Sequence, residues 1–247
     1  HGKCSLLSKM PGDYDMKFAG ARLFAAYMMT QPGKKLSFMG NEIGQFREWD
    51  YKGSIEWFLL DYEKHARFQL YMAELNSLYL KTPALWELDD GWAGFSWIDA
   101  DNRDESVISY RRFDASGKEV TVILNFTPVE RKNFRVGVAS AGKYGVLLSS
   151  DSLRYGGSGI ENGELDSEEI PSNGMENSIA VDLPPMGALI LEQTKKKKTA
   201  KKESPARRMP PKPQAQVTPK VTTAPPQPSA APPTENRDSQ ETKPVSV

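Results

Sequence analysis

Hydrophobic and polar positions follow two different periods along the chain. Tyr14, Phe18, Ala21, Ala25 and Met28 recur at three- and four-residue intervals, which predicts an amphipathic helix reaching Thr30. Asp13, after the turn Pro11-Gly12, offers its N-cap, and Pro32-Gly33 closes it. Phe68, Tyr71, Met72, Leu75, Leu78 and Tyr79 repeat the pattern and predict a second helix that stops before Pro83. Between the two, Leu36, Ser37, Phe38 and Met39 form a short apolar run ending at Gly40, which suits a buried strand. A polar and aromatic loop follows over 41–53.

From about residue 92 the period changes to two. The runs 94–98, 106–112, 119–126, 133–138, 144–149, 178–183 and 187–192 are short and rich in Val, Ile and aromatics. Turn residues such as Ser116-Gly117 and Ala141-Gly142 separate most of them. This is the pattern of an antiparallel sandwich or barrel. The Gly-, Ser- and Glu-rich connection 150–177 is too long for a simple turn.

The first part poses a packing problem. Two helices around one strand do not close a core, and a strand flanked by helices normally belongs to a parallel sheet. Residues 1–83 therefore read as the last βα units of a larger α/β fold. A complete (β/α)8 barrel takes about 250 residues, so most of it is expected before His1. The start at His1-Gly2-Lys3-Cys4, with neither Met nor a signal segment, agrees with that expectation. The apolar faces around Phe18, Leu36 and Leu75 are then expected to stand uncovered.

Charge sharpens the division. The 247 residues hold 32 Lys or Arg against 32 Asp or Glu, but 12 of the basic and only 4 of the acidic residues lie beyond residue 194. Eleven of the 18 prolines lie there too, with no Phe, Tyr or Trp. An acidic body is thus followed by a basic extension, 194–247, whose composition predicts disorder. Its lysine clusters attract anions, yet without aromatics it offers bases no stacking platform, so nucleic acid is not the expected partner. No apolar run has the length of a membrane helix; the longest, 18–29, contains Arg22. The single Cys4 excludes an internal disulfide framework and any multi-cysteine zinc site, and fits a reducing compartment.

Several segments carry a resemblance. HGKCSLLSKMPGDYDMKFAGARLFAAYMM, PGKKLSFMGNEIGQFREWDY, LNFTPVERKNFRVGV, LLSSDSLRYGGSG and DLPPMGALIL are similar, in one order, to the C-terminal third of bacterial 1,4-alpha-glucan (glycogen) branching enzymes of the alpha-amylase superfamily. The resemblance covers residues 1 to about 193. It implies α/β plus all-β architecture: the last βα units of a catalytic (β/α)8 barrel over 1–83, an antiparallel β-sandwich over 84–193, and a disordered tail over 194–247. The implied reaction cuts an α-1,4 glucan chain and re-attaches the segment through an α-1,6 linkage, as a retaining hexosyltransferase with a closely spaced carboxylate pair. The resemblance places all three catalytic carboxylates before the HGK segment, so this chain is expected to be inactive alone. It implies no cofactor and no metal, a cytoplasmic location, an α-glucan partner and a monomer when full length.

Barrel active sites lie on the loops after the strands. By the resemblance, residues 1–12 and 41–53 are two such loops. His1 and Lys3 would donate hydrogen bonds to sugar hydroxyls or hold a catalytic carboxylate ionised; Lys3 also reads as a solvated loop lysine. Asn41 and Glu42 take a subsite or structural role rather than acid catalysis. Arg47 and Glu48 offer a charge pair. Trp49 either stacks on a pyranose face or packs the loop on the barrel rim. His65 reads as a capping or surface residue, Cys4 as a small loop residue, and Trp57, Trp86, Trp92 and Trp97 as core or domain-interface residues. Gly156-Gly157-Ser158-Gly159 lacks the Lys and the helix of a phosphate loop. A rival reading makes 93–193 an autonomous, non-catalytic α-glucan-binding sandwich.

Overall fold

The computed structural model of the chain describes residues 2–197. His1 and, from residue 198, the expected disordered extension lie outside the described residues.

Three α-helices come first: α1 (Leu6–Lys9), α2 (Tyr14–Thr30) and α3 (Glu63–Lys81). Asp13 caps α2 by accepting a 2.9 Å bond from the Met16 N–H. Eight strands follow: β1 (Phe95–Asn102), β2 (Val107–Phe113), β3 (Glu119–Asn125), β4 (Arg131–Val138), β5 (Gly142–Ser149), β6 (Leu165–Asp166), β7 (Asn177–Leu183) and β8 (Gly187–Lys196). They form a six-stranded sheet, β1-β2-β3-β8-β5-β6, and a two-stranded sheet, β4-β7, all paired antiparallel. β8 runs past residue 192, where its apolar run ends, because Lys195 and Lys196 still pair with Lys143 and Gly142 of β5.

The six-stranded sheet is buried on both faces. Ile123, Leu189 and Leu191 pack against Val136, Val138, Ile179 and Val181 of β4 and β7. The alternate residues Val122, Leu124, Ala188 and Ile190 pack against Phe18, Met29, Phe68 and Leu75 of α2 and α3. Helices, six-stranded sheet and β4-β7 ribbon therefore make three layers. Two-sided burial accounts for the unbroken apolar run Leu189, Ile190, Leu191.

Three expectations need correction. No strand forms over 36–39: the segment pairs with no described residue, and Leu36 is 79% exposed. A strand exists only through its ladder partners, and none is within reach. Phe18 and Leu75, by contrast, are buried, because the helices cover each other and the large sheet. Of the two places expected for Trp57, Trp86, Trp92 and Trp97, the core is ruled out, since all four are exposed, and a domain interface stays open.

Two buried arginines fasten the helical layer to the sheet. Arg112 on β2, fully buried, donates to the Thr30 carbonyl at 2.7 Å, to the Gly94 carbonyl at 3.0 Å and to the Asp89 carboxylate. Arg22 on α2 donates to the carbonyls of Ser150 at 2.6 Å and Tyr155 at 3.1 Å. The glycine-rich stretch after Tyr155 wraps the buried Asp151, whose carboxylate accepts from Ser158 N–H (2.9 Å), Ser158 O–H (2.6 Å) and Ile160 N–H (3.0 Å). A Cβ on Gly157 would lie 2.0 Å from the Asp151 carbonyl, so close backbone approach explains the glycine.

Candidate functional site

The loop after Gly40 is built around a single turn of 3-10 helix, Asn41–Ile43. Gly40 and Gly44 flank it with φ of 79° and 65°, the left-handed conformation that glycine adopts without strain. Gln45 then locks the loop from inside. Its amide donates to the Arg47 carbonyl at 2.9 Å and accepts from the Glu56 N–H at 3.1 Å. A Cβ on Gly40 would meet the Gln45 amide oxygen at 2.8 Å.

This loop and the N-terminal segment enclose a cavity of about 410 Å³, lined by Asn41, Arg47, Glu48 and Trp49 together with Cys4 and Lys9. Trp49 is partly exposed there, edge-on to Phe38 with ring centroids 5.2 Å apart. Glu48 ties the two loops by accepting a 3.1 Å bond from the Lys3 backbone N–H. The Lys3 side chain and Glu42 do not line the cavity, and His1 lies outside the described residues. Gln45, which holds the loop and reaches the cavity wall, has no sequence signal beyond its place beside Gly44.

His65 is neither a cap nor a surface residue. It is 1% exposed, and its Nδ1 lies 2.8 Å from the Ile43 carbonyl. Distance in sequence hid this role, since the partner stands 22 residues earlier.

A second cleft, of about 510 Å³, opens between the end of α2 and the start of β1. Trp92 and Trp97 line it with Phe95, Asp89 and Asp90, and Trp92 is 85% exposed. Phe95 and Trp97 stand on one face of β1, edge to face at 4.9 Å, and both rest on Tyr110 at 5.3 and 5.7 Å. Arg112 fixes Asp89 at the cleft wall. Flat indoles beside carboxylates suit a polyhydroxylated ring, whose C–H face is apolar and whose edge donates hydrogen bonds.

Among the described residues no group of three or more His, Cys, Asp or Glu side chains is placed to hold a metal. No helix among them is long and apolar enough to cross a membrane.

The family described as "Alpha amylase, C-terminal all-beta domain" matches residues 97–194. The 1,4-alpha-glucan branching enzyme GlgB of Desulfitobacterium hafniense (strain Y51) is 46% identical over 194 residues, covering 78% of this chain and 31% of that enzyme. The enzyme of the same name from Pseudoalteromonas atlantica is 48% identical over 193 residues, covering 77% and 26%. That from Aquifex aeolicus is 45% identical over 194 residues, covering 78% and 31%. The chain thus spans less than a third of the length of these relatives.

Among solved structures, the catalytic module of the glycogen-degrading pneumococcal virulence factor SpuA shares the fold at a TM-score of 0.54 and 17% identity, covering 77% of this chain and 35% of that one. Ttha1563 from Thermus thermophilus does so at 0.51 and 18%, covering 77% and 33%. Over more than three quarters of its length the chain is thus similar to 1,4-alpha-glucan branching enzymes, and its residues 97–194 match the all-beta domain that closes alpha-amylases.

Proposed function

We propose that the chain supplies the C-terminal part of a 1,4-alpha-glucan branching enzyme, which cuts an α-1,4 glucan chain and transfers the segment to an α-1,6 position in glycogen synthesis. The observation that carries this reading is the 45–48% identity to enzymes of that name over about 78% of the chain. A retaining transfer needs a nucleophilic carboxylate and an acid about 5 Å apart. This reading places those groups outside the chain and gives its own residues the task of holding glucan. Residues 1–247 alone then bind without catalysing. The reading requires no cofactor and no metal, and the free thiol of Cys4 supports a reducing, cytoplasmic setting.

The same reading makes residues 1–83 the last βα units of a (β/α)8 barrel and 84–193 the all-β domain beside it. Its support is the segment 36–39, which is apolar yet unpaired and exposed, as a barrel strand without its neighbours would be. In the loop cavity, Asn41, Arg47 and Glu48 would bind sugar hydroxyls while Trp49 stacks on a ring. Lys3 and Glu42 are neighbours in sequence of residues that line it, and the sugar-binding role proposed for His1 falls outside the described residues.

The cleft of Trp92 and Trp97 favours a second, compatible reading: glucan binding by the all-β part without chemistry. α2 and α3 cover one face of the large sheet, so point variants of the whole chain test this better than deletion of 1–92. Residues 1–247 should be retarded in native gels containing glycogen, and Trp92→Ala should lose most of that retardation. Equal mobility with and without glycogen would remove the binding role. Formation of α-1,6 linkages by the isolated chain would sink the assignment of the carboxylates to another part of the enzyme.

A further inference from the structure

His65 does no work in the reading above, yet it is a buried, titratable ring at the base of the loop that carries the cavity. Its ring lies 4.9 Å from Phe18, 5.6 Å from Phe46, 6.2 Å from Tyr14 and 6.4 Å from Tyr62, centroid to centroid. Phe18 and Tyr14 belong to α2, Phe46 to the loop, and Tyr62 to the entry of α3. One imidazole therefore joins three segments. Its one polar tie among the described residues, Nδ1 to the Ile43 carbonyl at 2.8 Å, ends on the last residue of the turn Asn41–Ile43.

A carbonyl oxygen only accepts, so Nδ1 must carry the proton. Ile43 is fully buried, and a carbonyl left unpaired there would lose the bond without gaining water. Residues on either side of that tie, Asn41 before it and Gln45, Arg47, Glu48 and Trp49 after it, line the cavity. We infer that His65 is a positioning residue: as the Nδ1–H tautomer it pins the 41–49 loop and thereby sets the wall that meets glucan. The link to glucan rests on the proposed function, while the pinning of the loop does not.

The test uses the full 247-residue chain labelled with 15N. Long-range correlations of the His65 ring should show a proton on Nδ1. His65→Phe keeps the ring packing and removes the donor. Amides of Ile43, Gly44 and Gln45, each bonded within the turn, should exchange about tenfold faster in that variant, with Val122 and Ile190 of the large sheet unchanged. His65→Asn places a donor near the Nδ1 position and should keep them slow. Trp49-dependent binding of maltoheptaose should weaken about tenfold in His65→Phe and recover in His65→Asn.

A bare Nδ1, equal acceleration of loop and sheet amides, or no rescue by Asn would each overturn the positioning role. Absence of Trp49-dependent maltoheptaose binding in the unaltered chain would instead remove the glucan reading of the cavity. Tautomer and exchange would still decide the role of His65.

Discussion

Two apolar runs in this chain look alike in sequence and end differently. Leu36, Phe38 and Met39 stand exposed in a segment that joins no sheet among the described residues, whereas Leu189, Ile190 and Leu191 are fully buried within β8. Composition does not separate them. What differs is the company: β8 has β3 on one side, β5 on the other, α2 over one face and the β4-β7 ribbon over the other. Strand structure in this molecule is conferred by neighbours, and an apolar run is only a request for them.

The comparison breaks most severely at Arg112, the clamp that seats the end of α2 and the 83–94 connection on β2. Arg112→Ala leaves the Asp89 carboxylate, nearly buried in its side chain, without its partner. It also strands two buried carbonyls, Thr30 and Gly94. Removing one member of a buried ion pair costs about 3–5 kcal/mol, and denaturant unfolding of the chain should show a loss of that size. A change below about 1 kcal/mol would mean that the helical layer is not held by this residue.

A milder test compares the two runs directly. Ile190→Ala opens a cavity between the sheet and the helices and should cost about 2–5 kcal/mol. Leu36→Ala removes a side chain already in water and should stay within about 0.5 kcal/mol of the unaltered chain. Similar losses for both would refute the view that only one run is partnered in this chain. Recovery of a large Leu36→Ala effect in a longer polypeptide would fit the proposed barrel.

Much of the fold was legible because its signals are local. Asp13 and Pro83 mark helix ends within a residue or two, and alternating residues mark the starts of the seven expected strands to similar accuracy, while β1 and β8 run four residues past their expected ends. The loop residues Asn41, Arg47, Glu48 and Trp49 were picked out through the resemblance, and the structure brings all four to the lining of one cavity. What escaped depends on distant partners. Arg112 meets Thr30 across 82 residues, and His65 meets Ile43 across 22. The exposure of Trp92 and Trp97 follows from how the end of α2 meets β1, which no spacing records. One distant fact did leave a trace, since an unbroken run of Leu189, Ile190 and Leu191 departs from the alternation of a one-sided sheet.

Lys35 stands at the border between the two regimes, one residue before exposed Leu36, and gives the smallest and most local prediction. Its ammonium donates to the Gln31 carbonyl and lies 5.5 Å over the Tyr79 ring. Burial pushes its pKa down to about 8, with Asp89 opposing the shift and Arg112 adding to it. Between about pH 8 and the ordinary lysine value of about 10.4, the native chain binds fewer protons than the unfolded one, so stability rises with pH. Above about pH 10 the buried phenols of Tyr71 and Tyr110, raised by burial, reverse the slope, because the unfolded chain then loses its tyrosine protons first. Denaturation midpoints should therefore climb modestly from about pH 8 and fall beyond about pH 10. Lys35→Met should flatten the climb and leave the fall, while Leu36→Ala alters neither. A climb that survives Lys35→Met would place the titrating group elsewhere and move the border of the covered region away from residue 35.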